Sequence, residues 1–104
     1  MAKIDVLGTK YTILFMPLEE CDGYCDKTTH KIVVATKGSD VNLGDFDVYQ
    51  KKVLRHEIIH AFLFESGLHE NWEHNQFGHD ETYVDWIAAQ FPKLLKAFKD
   101  ADCL

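Results

Sequence analysis

From Ile58 to Phe64 every side chain is apolar except His60, and the same stretch opens with Arg55-His56-Glu57. A helix so nearly apolar all round belongs in the centre of a fold, since it has no polar face to turn to water. Asp45 or Asp47 can cap its start, after the turn-forming residues 37 to 45. Gly67, just after Ser66, is its stop, because a left-handed residue there costs glycine nothing. Two imidazoles and a carboxylate are thereby committed to the interior, where each is costly without a partner.

His56-Glu57-Ile58-Ile59-His60 is a His-Glu-x-x-His pattern. On a helix, residues four apart share a face, so both rings can reach one tetrahedral Zn2+ at about 2.0–2.1 Å while Glu57 reaches a water held there. With six His in the chain, about two shuffled sequences in a hundred would contain the pattern, so its place on the helix expected to be buried carries the argument. Read without a metal, His56 and His60 are hydrogen-bonded core histidines and Glu57 is a helix residue facing solvent.

A catalytic zinc takes a third protein ligand and keeps a position open. Glu81 is the candidate, at the start of a second helix that begins near Asp80 and can return antiparallel to the first. His74, His79 and Asp80 compete with it, and an acid in the first turn of any helix is favoured by the macrodipole alone. Asp85, one turn on, shares the Glu81 face and can accept the free N–H of a ligating His. His74, His79 or Tyr83 can serve a tetrahedral oxyanion. A Met-turn enzyme is excluded, because position 66 is Ser and position 63 is Leu.

Before the first helix the chain reads as strands. Residues 3–7 and 10–16 flank Gly8-Thr9, with Pro17 ending the second strand. Gly23 to Asp26 and His30 to Thr36 flank Lys27-Thr28-Thr29. The expected fold is α+β: a small, largely antiparallel sheet packed on a buried active-site helix, with a second, C-terminal helix that Pro92 kinks or divides. Residues 68 to 79, including Trp72 and Phe77, read as a polar, aromatic-studded loop.

At 104 residues the chain is one domain, 1–104. Its net charge of −6 repels phosphate, which argues against nucleic acid and anionic lipid as partners. Asp5 follows the first apolar residue, unlike a secretory signal, and no run is long enough to span a bilayer, so a cytoplasmic protein is expected. Cys21, Cys25 and Cys103 are an odd number and predict no disulfide framework. Cys21 and Cys25 resemble half of a structural zinc site with no second pair, so small thiols are expected.

His56-Glu57-x-x-His60 followed by Glu81-x-x-x-Asp85 resembles the Glu-liganded zincins, and residues 23 to 95 look like the short ImmA/IrrE-type metallopeptidases of bacteria and their phages. Gly23-Tyr24 and Ile32-Val33-Val34 stand where that family has a Gly-Tyr hairpin and an Ile-rich strand. The run from Glu81 to Ala88 is similar to its Glu-x-x-Ala-Asn-x-Phe-Ala pattern, departing from it at Val84, Asp85 and Ile87. The resemblance implies a zincin-like fold and cleavage of a regulatory protein.

The expectation is therefore a zinc metallopeptidase in which His56, His60 and Glu81 hold Zn2+ and Glu57 moves the proton. Its substrate would be a protein or peptide added to the sheet edge at the strand Lys31 to Thr36. The alternatives are a non-catalytic, zinc-stabilised module that sequesters a regulatory protein, closed by a fourth ligand such as His79, and a metal-free interaction protein.

Overall fold

Leu7 and Gly8 both take positive φ, 52° and 94°, the condition for a two-residue turn whose twist matches its flanking strands. Asp5 steadies this turn by accepting the Gly8 N–H at 3.2 Å. The result is a hairpin of β1 (Ala2–Val6) and β2 (Thr9–Met16), with the turn one residue earlier than expected. The structure is a computed structural model and describes residues 2–36, 45–67 and 80–104. Among these residues the remaining elements are β3 (Gly23–Asp26), β4 (Lys31–Ala35), α1 (Phe46–Glu65) and α2 (Glu81–Asp100). The class is α+β.

The four strands form one sheet in the order β1-β2-β4-β3. Its two hairpins are antiparallel, as expected, but β2 and β4 pair in parallel at the centre. The chain reaches this arrangement by running β3 along the outer edge and folding β4 back inside. Hydrophobicity accounts for the choice, since Ile32, Val33, Val34 and Ala35 are at most 2% exposed and such a run belongs between neighbours rather than at an edge. The strand Lys31–Ala35 thus has both sides occupied and cannot receive an added peptide. The edges of the sheet are β1 and β3.

Alternate residues Val6, Tyr11, Ile13, Ile32 and Val34 form the face on which α1 lies, meeting Val53 and Ala61. Asp45 caps α1 by accepting the Val48 N–H at 3.3 Å, and Gly67, at φ 80°, ends it. Its buried residues are Val53, Glu57, His60 and Ala61, one helical stripe. Phe62 remains 41% exposed. The helix is therefore buried on one side, not all round, because sheet and second helix cover only adjoining arcs of it. Glu65 anchors its last turn, accepting the Tyr11 hydroxyl at 2.7 Å and the Thr9 hydroxyl at 2.9 Å.

Asp80 caps α2, and its carboxylate accepts the N–H groups of Thr82 at 2.8 Å and Tyr83 at 3.2 Å. Val84 and Ala88 are its buried residues, and it packs along α1. Pro92 does not divide it, since the helix runs unbroken to Asp100. Pro92 has no N–H to offer the Ala88 carbonyl one turn back. Arg55 of α1 donates to that oxygen instead, Nε to O 2.6 Å. No helix among the described residues is long and apolar enough to cross a membrane.

Candidate metal centre

One turn separates His56 from His60 on α1, and α2 returns alongside with Glu81 in its first turn. The three side chains converge. Glu81 Oε1 lies 2.7 Å from His60 Nε2, its Oε2 lies 3.2 Å from His56 Nε2, and the two Nε2 atoms are 3.2 Å apart. One donor atom from each residue falls within 4.8 Å of the others, so this group could hold a metal ion. A tetrahedral ion with ligands at about 2.0–2.1 Å sets its donors about 3.3 Å apart. The Nε2–Nε2 and Glu81 Oε2–His56 Nε2 separations are close to that edge, while the shorter contact to His60 is made by the other Glu81 oxygen.

The protonation pattern follows from the neighbours. Lys52 Nζ lies 2.9 Å from Asp85 Oδ1, and this contact leads the influences that hold the Asp85 carboxyl below its ordinary range. Asp85 is thus ionised and can only accept. Its Oδ1 stands 3.3 Å from His56 Nδ1, which must therefore carry the proton. With Nδ1 so engaged, His56 presents Nε2 to Glu81 and His60. Burial is the main cause holding the His60 ring below its ordinary pKa, with His56 adding to it and Glu81 opposing, and so favours the neutral ligand form.

Glu57 is 8% exposed. Burial, reinforced by the Glu81 charge and opposed by His56, pushes its carboxyl up to about 7. It lines a cleft of about 240 Å3. His56, Glu81 and Asp85 line the cleft with it, as do Asp22, Gly23, Tyr49 and Lys52. Gly23 lets β3 come this close to α1: a Cβ there would meet Val53 Cγ1 at 2.9 Å and the Val33 carbonyl at 3.0 Å, with Glu57 Cγ at 3.4 Å. The Tyr49 hydroxyl donates to the Asp22 carboxylate and ties the rim of the cleft together.

Of the other residues selected from sequence, Tyr83 is 68% exposed and does not line the cleft. Two residues beyond Glu81, it points about 200° around the helix from that carboxylate, by the rotation of about 100° per residue. It is not placed to serve an oxyanion. Asp80 is committed to capping α2. His74 and His79 lie outside the described residues. Cys21, Cys25 and Cys103 are free thiols, and among the described residues the only His/Cys/Asp/Glu group arranged for a metal is the His56, His60 and Glu81 one.

Sequence reasoning did not select Lys52, Asp22 or Tyr49. Lys52 was within reach of it, standing one turn before His56 on the same helix face. Asp22 and Tyr49 carried no signal, being 27 residues apart. No protein-family model matches the chain, and no curated protein is similar to it.

Proposed function

We propose that the chain is a zinc-dependent metallopeptidase, with His56, His60 and Glu81 as ligands and Glu57 as general base. The observation that carries the reading is the convergence of His56, His60 and Glu81, one donor atom from each lying within 4.8 Å of the others. His56 donates its Nδ1–H to Asp85, and its Nε2 faces a Glu81 carboxylate oxygen at 3.2 Å. Two imidazoles and one carboxylate gathered in this way suit Zn2+. The His-Glu-x-x-His resemblance to the ImmA/IrrE-type enzymes agrees with it.

Zinc, when bound, would acidify a water and polarise the scissile carbonyl. The chain's own contribution begins with Glu57, which takes the proton of the attacking water and returns it to the leaving amine. Its burial beside the ligands and its raised pKa suit a group that must accept and then release a proton. Asp85, held by Lys52, fixes the His56 tautomer and ring. The substrate would be an extended protein segment. β3 is the edge strand bordering the cleft at Gly23, so its free side is the place for that segment to add.

A site built only to hold the helices together has no use for Glu57 in an open cleft, which separates this reading from a sequestering module. Metal analysis of the purified protein beside its Glu81→Ala variant tests it first. Stoichiometric zinc in the former and much weaker binding in the latter are expected. A folded protein that takes up no zinc would overturn the reading. Glu57→Gln should keep the metal and lose hydrolysis of an unfolded protein substrate, and retained turnover in that variant would remove Glu57 from its role.

A further inference from the structure

Glu81 and Asp85 reach the histidines only if α2 holds its register against α1, and one contact between the helices stands out chemically. The Ala88 carbonyl belongs to a residue that is 0% exposed, and Pro92 leaves it without its helical donor. A buried carbonyl in that position must find another N–H. Arg55 Nε supplies it at 2.6 Å. Arg55 immediately precedes His56, and Ala88 lies one turn beyond Asp85's neighbour Val84. The bond therefore ties an α1 side chain, next in sequence to His56, to the α2 backbone one turn from Asp85.

We propose that Arg55 is a positioning residue for the metal centre, and that Pro92 is what makes it one. By withholding a donor, Pro92 directs the Ala88 carbonyl to the neighbouring helix, and Arg55 converts it into a fixed inter-helix bond. That bond sets the depth at which Glu81 meets His60 Nε2 and Asp85 meets His56 Nδ1. A guanidinium suits the task, because its Nε–H points along a rigid plane and its charge persists at every working pH. Arg55 touches none of the three donors, so its influence on the metal passes wholly through the register of α2.

The inference rests on the metal-binding reading above, and its test separates the two. Thermal melting of the metal-free protein and zinc affinity by chelator competition, well below the melting range, are measured for the wild type, Arg55→Ala, Pro92→Ala and the double variant. Arg55→Ala should lower the melting midpoint by about 5 °C. It should also weaken zinc binding about tenfold, the lower end of the cost of losing an outer partner of a metal ligand. In the Pro92→Ala background the same substitution should cost less than half as much on both counts, because residue 92 then supplies the helical N–H.

Ile13→Val, in the core beneath α1, serves as a control of similar thermal cost and should leave zinc affinity unchanged. Equal losses from Arg55→Ala with and without Pro92 would overturn the proposal. So would a zinc affinity that falls in Ile13→Val as far as in Arg55→Ala. If the wild type binds no zinc, the metal reading fails and Arg55 has no centre to position, while the melting cycle still reports whether the side chain replaces Pro92's missing donor.

Discussion

The Nε2 atoms of His56 and His60 lie 3.2 Å apart, each facing a different oxygen of the same Glu81 carboxylate. Without a cation the two rings share one Glu81 carboxylate, and burial of His60 opposes the imidazolium form that would best answer that charge. Binding of zinc to the folded state alone should therefore stabilise the protein, by about 2.7 kcal/mol at a concentration a hundred times the Kd. A chelator should lower the melting midpoint, zinc should restore it, and Glu81→Ala should melt at nearly the same temperature with and without zinc. A zinc-dependent rise of full size in that variant would mean that Glu81 is not a ligand.

The chain from Lys52 through Asp85 to His56 predicts a graded effect. Asp85→Ala removes the acceptor from His56 Nδ1 and frees the ring to turn or change tautomer. Zinc affinity should fall roughly ten- to a hundredfold, with the fold intact by circular dichroism. Lys52→Met should cost less, because the Asp85 carboxylate stays in place and half-exposed to water. Chelator competition orders the two variants, and a larger loss for Lys52→Met would assign the lysine a direct role in the site.

Gly23 is a point of close approach between β3 and α1. An alanine there must displace Val53 or the Val33 carbonyl, both at 3.0 Å or less from the new Cβ. Overpacking of this kind costs about 1–3 kcal/mol, measurable as a lower urea midpoint. Val53→Ala removes the first obstacle, so Gly23→Ala should cost less in that background than in the wild type. Additive losses would show that the Val33 carbonyl, and not the valine methyl, sets the limit.

What the sequence made legible was local. The cap at Asp45, the start of α2 near Asp80, the glycine stop at Gly67 and the helical placement of His56 and His60 all follow from neighbours within a turn or two. The parallel pairing of β2 with β4 does not, because nothing in a strand's own residues says which partner it takes; only the apolar run at Ile32–Ala35 hinted at an interior place. Glu81 was reachable from the site because a metal demands a third donor, and an acid in the first turn of a returning helix supplies one. Pro92 was expected to kink or divide α2; the helix is not divided, and the Ala88 carbonyl that Pro92 leaves without a helical donor is bonded by Arg55, 33 residues before Ala88.

The last prediction concerns Glu57 in the protein stripped of metal. Its carboxyl is raised from 4.5 to about 7 by burial, with Glu81 adding to the rise. The folded state then holds a proton that the unfolded chain has released, so this group favours folding fully below about pH 4.5. Its contribution is lost as pH climbs from there through 7. Glu57→Gln removes the ionisation and should flatten this part of the stability profile, leaving the variant more stable than the metal-free wild type at pH 8. Urea midpoints between pH 4.5 and 8 would check it, and parallel profiles for the two proteins would refute it. Zinc opposes the effect, since a cation beside Glu57 favours its charged form. The difference between the wild-type and Glu57→Gln profiles should accordingly shrink when zinc is restored.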